Sequence, residues 1–503
     1  MDTDSTPGQE PPTRSQFGGH SFRGQRPRDP DLFEVSGADE PSAEQIDQGT
    51  TQGADQQSSS RREIASRTAT DRTAAKRPAD RSSRRVRSDT GSSGSNRDGA
   101  ELERRVARLE FAEGALSRCR VPVFVDAEAG RDILTDLDVL SLDFDNRLRL
   151  SYSTLECKSG RGQSGEGDRL LWLSGLRTLL DIDRAVLVRQ TITRRGQVLA
   201  ATLGLQILDM STLSQRESAH AWLPDRFAHV DGSACSAAEA RTDVQLRGLG
   251  HIPSKLVAFL RHQSLLSPSH RSLTALVALR RAMEYGGVLP TPTRFILAGH
   301  ALQSLTLAAL QDAATLDTVP EPQLRHRIEL ALTVGSPDNN HILSVLGRAD
   351  QIMGRVLDGV HHAYVDQGAS RIEVQAPSLR RLVAVPPDWV ERYLDLIKRL
   401  RANPAIARQL PQTIELACFD ALLDDDAYQV AAFDHLFTSE HRSLLLACVR
   451  MLGHIVGAPL ADALTPITTL DYGRSAPALP DRGAKQGTAR APSTPPPAAR
   501  RVD

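Results

Sequence analysis

The sequence predicts an α/β core, a central mixed sheet flanked by helices, followed by a mostly α-helical domain and bounded by two disordered tails. Three observations carry that reading. Between about Ala100 and Asp209 the apolar pattern runs helix, three strands, helix, strand, helix, strand. From about His220 to Thr469 nearly every apolar stripe recurs at helical spacing. Residues 1–97 and 471–503 carry almost no aliphatic periodicity, so nothing there offsets the entropy of ordering. The implied division is a tail at 1–97, the α/β core at 98–215, the helical domain at 216–470 and a second tail at 471–503.

The elements of the core follow from local pattern. Leu102, Val106, Leu109, Ala112 and Leu116 share one helical face, and that helix is expected to end near Cys119. Val121 to Val125 reads as a strand with Pro122 near its start, where a missing donor matters least. A turn through Ala127 to Gly130 leads into a hairpin from Thr135 to Gly160. Its first strand centres on Leu137-Asp138-Val139-Leu140, its turn is Asp143-Phe144-Asp145-Asn146, and its second strand runs from Leu148 to Lys158. A glycine-rich loop, a helix (Asp168 to Leu180), the apolar strand Ala185-Val186-Leu187-Val188, a helix (Thr193 to Leu203) and the strand Leu205 to Asp209 complete the core. The unbroken apolar run at Ala185 predicts a sheet covered on both faces.

The hairpin holds the chemistry. Residues two apart on a strand share a face, so Glu156 and Lys158 project together and Cys157 points away. Asp138 lies across the hairpin from them, in apolar surroundings where an unpaired charge is costly. Two carboxylates held close form a hard-oxygen site suited to Mg²⁺ (or Mn²⁺), and a neighbouring lysine can orient a water and offset phosphate charge. The chain has 61 Lys plus Arg but only five Lys, at positions 76, 158, 255, 398 and 485, and only Glu156 is followed two residues later by a lysine. In so arginine-rich a chain, Lys158 looks chosen for its compact, titratable head. The plainer reading is a Glu and a Lys that solvate a strand edge.

An acid on one strand and Glu-x-Lys on the next, in this order of elements, resembles the PD-(D/E)xK superfamily, the restriction-endonuclease-like fold. The end of the core, with Ala200-Ala201 on a small helix and then Gly204-Leu205-Gln206-Ile207-Leu208-Asp209, resembles Mrr-type restriction domains. The resemblance covers about Leu102 to Leu213. It implies that Asp138, Glu156 and the backbone carbonyl of Cys157 hold one or two metal ions, with Lys158 placing the attacking water. It also implies a third acid from the first helix. Glu110 is the expected residue, with Glu113 next because it interrupts the apolar stripe, and Glu103 the remaining candidate. Asp136 shares a face with Asp138, and Asp143 flanks the same core. Gln163 is a candidate substrate contact. The Gln-x-x-x-Tyr element of RecB-type members is absent.

Composition bounds the rest. The length of 503 residues suits two to three domains, and a formal net charge of −1 gives no whole-chain attraction to nucleic acid, so DNA contact falls to a local patch. Ten basic residues between Arg61 and Arg87 make the N-terminal tail either a DNA tether or, more simply, a solvated linker. Five scattered cysteines without a CxxC pair argue against a disulfide framework or a zinc site. No signal-type apolar core, membrane-length run or P-loop is present, which points to a cytoplasmic protein with no membrane partner. Arg-x5-His occurs at Arg294–His300 and Arg355–His361. In a chain with 14 His such spacings arise by chance; the His361-His362 pair and the Gly-His at His300 read as packing, solvation and the start of a helix. The expected function is a metal-dependent DNA endonuclease of a restriction or antiphage system, acting as a homodimer or with a defence-system partner protein. The competing expectations are a non-catalytic interaction protein with a degenerate core, and a ribonuclease.

Overall fold

In a computed structural model the described residues are 93–127, 130–159, 165–220, 223–335, 340–370, 378–379 and 385–473. Helix α1 (Ser93–Ala112) is followed by β1 (Leu116–Ala127), β2 (Gly130–Phe144) and β3 (Leu150–Lys158), then α2 (Glu166–Leu180), β4 (Arg184–Arg189), α3 (Arg194–Thr202) and β5 (Gln206–Asp209). The strands form one sheet in the order β1-β2-β3-β4-β5. The first three are antiparallel neighbours, while β4 and β5 run parallel to β3, so the sheet is mixed. The switch from hairpins to helical crossovers coincides with the switch from antiparallel to parallel pairing.

Every residue from Ala185 to Arg189 is buried, as expected of a strand covered on both faces. Ala185 and Leu187 pack with Leu170, Leu173, Ala200 and Leu205 under α2 and α3. Alternation sends Val186 and Val188 to the opposite face, where α1 crosses β1, β2 and β3 with Val106, Leu109 and Phe111 buried. The helix stops earlier than its apolar stripe suggests. Gly114 has φ +107, a conformation open to glycine, and the chain leaves α1 there so that Leu116 and Cys119 lie on β1. The hairpin turn also sits slightly later than expected. Asp145 Oδ1 accepts the N–H groups of Arg147 and Arg149, and Leu148 takes φ +62.

Beyond β5 the chain is helical: α4 (Met210–Glu217), α5 (Ser233–Leu246), α6 (Ser254–Arg261), α7 (Ser269–Glu284), α8 (Thr293–Thr315), α9 (Glu321–Val334), α10 (Asn340–Asp366), α11 (Val390–Ala402), α12 (Pro404–Ala407), α13 (Leu410–Phe419), α14 (Ser439–Val456) and α15 (Ala458–Asp462), with short 3₁₀ turns between several of them. Helix α8 is the axis of this part, buried from Ile296 to Leu310 and packed by α5, α6, α7, α11, α13 and α14. Helix α5 escapes sequence reading because its Ala- and Ser-rich stretch has no apolar stripe. The expected ribbon at Arg371 to Val385 falls mostly on 371–377 and 380–384, outside the described residues, as do most of both tails. Among the described residues no helix is long and apolar enough to cross a membrane.

The sheet and the helical part share a buried seam. Helix α13 packs on β1, where Arg118 donates to Glu415 Oε2 from Nη2 (2.6 Å) and Nε (3.2 Å), with both side chains almost fully buried. Gln412 Nε2 donates to the carbonyls of Phe111 (2.7 Å) and Ala115 (3.1 Å), satisfying acceptors freed at the end of α1. Phe111, Phe227 and Phe433 meet edge-to-face, with ring centroids 4.9, 5.7 and 5.2 Å apart.

Candidate active site

Backbone pairing of β2 with β3 stops at Val139–Leu155, whereas β2 stays paired with β1 all the way to Gly130. The two central strands therefore part just where Asp138 and Glu156 face each other. Asp138 Oδ2 fills the gap by accepting the N–H of Cys157 at 2.8 Å. On a strand the N–H and C=O of one residue point to the same neighbour, which directs the Cys157 carbonyl to the Asp138 side. The Cys157 side chain is buried on the opposite face, where desolvation holds its thiol pKa well above the usual range.

Lys158 Nζ lies 2.8 Å from Glu156 Oε1 and 3.5 Å from Asp138 Oδ2, so the three hairpin residues meet at one point. A fourth group, absent from the sequence-based expectation, joins them. Arg169 in the first turn of α2 places Nη1 3.3 Å from Glu156 Oε1 and lies over the Trp172 ring. Burial, then the charge of Asp138, raises the Glu156 pKa above the ordinary carboxylate value, against the pull of Lys158 and Arg169. Burial disfavours the Lys158 ammonium, but its hydrogen bond to Glu156 and the charge of Asp138 outweigh that and hold its pKa up. Two acids and a lysine, with Asp138 and Lys158 partly open to solvent, can take a hard divalent cation and carry a charged substrate beside it.

The first-helix acid is not where it was expected. Glu110 is buried beside Ser141 (3.1 Å), Arg184 (3.1 Å) and Arg216 (3.3 Å). Ser141 and Arg184 both pair with Ser153, five residues before Lys158, which is roughly 16 Å along the strand. Glu110 thus braces the far end of the sheet. Glu113 sits beside it, on Arg216. Glu103, two turns earlier on α1, is the helix acid at the hairpin end. Gly99, one turn before it, is close to Ser159, and the charges of Asp138 and Lys158 act on Glu103. Glu103 is held by Arg120 Nε at 2.8 Å, and burial raises its pKa. Asp136 is exposed two residues before Asp138, Asp143 is exposed opposite Ser151 at the Glu110 end of the sheet and not beside the hairpin acids, and Gln163 lies outside the described residues.

A cleft of 660 Å³ lies elsewhere, beside α1, lined in part by Arg104, Arg105 and Arg108. Each of these arginines is paired with an acid (Asp231, Glu217 and Asp225 respectively), so the cleft is no match for the hairpin chemistry. His300 is likewise not at a helix start but buried in mid-α8, and His361 is on α10. No family model, curated protein or solved structure matches the chain.

Proposed function

We propose that the chain is a metal-dependent endonuclease with a PD-(D/E)xK core of Mrr-like type, hydrolysing phosphodiester bonds in DNA. One observation carries the reading: Asp138, Glu156 and Lys158 converge where the two central strands part, in a five-stranded mixed sheet with the element order that such a core requires. Asp138, Glu156 and the Cys157 carbonyl would hold Mg²⁺ or Mn²⁺, with Glu103 in place of Glu110 as the helix acid. When bound there, such a cation would lower the pKa of a water and polarise the phosphate. Lys158 holds that water by its ammonium and offsets charge on the phosphoryl oxygens. Arg169, on the same carboxylate, would bind the phosphate backbone. The helical part would recognise the target, join copies of the chain or contact a defence-system partner, a role the core does not fix.

The test is cleavage of supercoiled and linear DNA by purified protein with Mg²⁺, Mn²⁺ or EDTA, beside Glu156→Ala and Lys158→Ala. Metal-dependent nicking lost in both variants supports the reading, and Lys158→Ala protein that cuts as fast as wild type refutes it. Cleavage of RNA alone moves the substrate to the ribonuclease alternative. Absence of cleavage, with no rise in Tm on adding Mg²⁺, favours a scaffold whose Lys158 and Arg169 simply neutralise Glu156.

A further inference from the structure

A second cluster of ligating side chains is built into the seam between sheet and helices. His229 on the loop after α4, Glu239 on α5 and His300 on α8 each bring one ligand atom within 4.8 Å of the others. His300 Nε2 is 3.0 Å and His229 Nε2 3.3 Å from Glu239 Oε1. We propose that these three side chains form a binding site for a divalent transition-metal ion of the zinc class, separate from the hairpin carboxylates.

Four observations support the assignment. Ligand atoms about 2.0–2.1 Å from a tetrahedral ion lie about 3.3–3.4 Å apart, and the two nitrogen-to-oxygen separations fall at or just below that spacing. Two imidazoles and a carboxylate are a donor set for zinc or a neighbouring transition ion, unlike the all-oxygen hairpin set. The second nitrogen of His229, Nδ1, is hydrogen-bonded to Glu415, which Arg118 holds in turn, the outer carboxylate that fixes a ligating histidine's tautomer. Both rings also lean on Phe419, with centroids 4.4 and 4.7 Å away, so their orientation is set by packing.

Charge points the same way. Glu239, Glu415 and Asp243 bring three negative charges, whereas Arg118 and Arg261 bring two positive ones. That leaves one more negative than positive side chain among these groups around the cluster. The ion would fasten the loop from Phe227 to Asp231 onto α5 and α8. That loop already takes the Cys119 N–H of β1 on the His229 carbonyl (3.2 Å), and Asp231 pairs with Arg104 (2.8 Å) of α1. The role is structural, holding the helical part against the strand and helix that present Glu103. It stands whether or not the chain cuts DNA.

The test uses the full-length chain, stripped of metal and titrated with Co²⁺ and Zn²⁺, with bound metal measured by mass spectrometry and Co²⁺ by its visible absorption. One ion per chain is expected in Glu156→Ala, which lacks the hairpin carboxylate, and at least one in wild type, with a higher Tm when zinc is bound. Glu239→Gln, which keeps the side-chain shape, is expected to weaken binding by more than the roughly 10–100-fold that loss of an outer partner costs. His229→Gln is the second variant, in case the first fails to fold. Folded wild type that takes up no stoichiometric Co²⁺ or Zn²⁺ and shows no Tm shift overturns the site and leaves a His–Glu–His ion cluster. Glu239→Gln protein that binds as wild type does also overturns it.

Discussion

Glu103 and Glu110 make a matched pair for mutation, because both lie on α1 two turns apart, one at the hairpin-acid end of the sheet and the other at its far end. Glu110→Ala removes a buried carboxylate that is the shared partner of Arg184, Arg216 and Ser141. Breaking a buried pair by deleting one partner costs about 3–5 kcal/mol. Part of that is discounted here because Arg184 and Arg216 are 30% and 26% exposed, and Arg216 keeps Glu113. A loss of about 2–3 kcal/mol in urea unfolding is expected, with cleavage per folded molecule and the Mg²⁺ midpoint unchanged. Glu103→Ala should do the reverse. Burial already disfavours its charged form, so stability changes little. Asp138 and Lys158 act on Glu103 through their charges, so a divalent ion held by the hairpin acids should lose at least about 1 kcal/mol of Coulomb attraction without it, about five-fold in Mg²⁺ affinity. The assays are a urea melt and a Mg²⁺ titration of nicking on each variant. An unmoved Mg²⁺ midpoint in Glu103→Ala, or a moved one in Glu110→Ala at full folding, refutes the placement.

Two further outcomes follow from buried groups outside the hairpin. Arg118→Met and Glu415→Leu should each cost about 3–5 kcal/mol in urea unfolding, because each strands a buried charge, while the double variant costs clearly less than the sum. Strict additivity would show that the pair does not hold α13 to β1. Burial raises Asp312 to about 6, despite hydrogen bonds from Ser269 and Tyr393. Its folded pKa lies above its unfolded value, so its contribution is present below about pH 4 and lost as pH rises through about 6. The stability gap between wild type and Asp312→Asn should therefore shift by about 2 kcal/mol against wild type between pH 4 and pH 7. A gap that is flat with pH contradicts the shift.

EDTA controls in any cleavage assay need care, because a chelator would strip a zinc-class ion at His229, Glu239 and His300 as well as Mg²⁺ at the hairpin. Restoration by Mg²⁺ alone separates the two. That distinction matters for the role of the helical part, whose seam carries both the Arg118–Glu415 pair and the histidine cluster.

The sequence by itself determined the local elements and the meeting of Asp138, Glu156 and Lys158 on the hairpin. Period-two and period-3.6 patterns are properties of neighbouring residues, so β4, α2, α3 and most of the helical stripes could be placed from them. The facing of Asp138, Glu156 and Lys158 was also local, since a hairpin's register follows from its turn. What the sequence left undecided depends on how distant elements cross. Glu103 and Glu110 share a helix face, and only the position of α1 over the sheet decides which one lies nearer the hairpin acids. Arg169 could be recognised only once α2 was docked beside β3. His229, Glu239 and His300 lie on a loop and two helices with no motif spacing, and α5 shows no apolar stripe at all. Their meeting is a product of packing around α8, a long-range arrangement that no local period encodes.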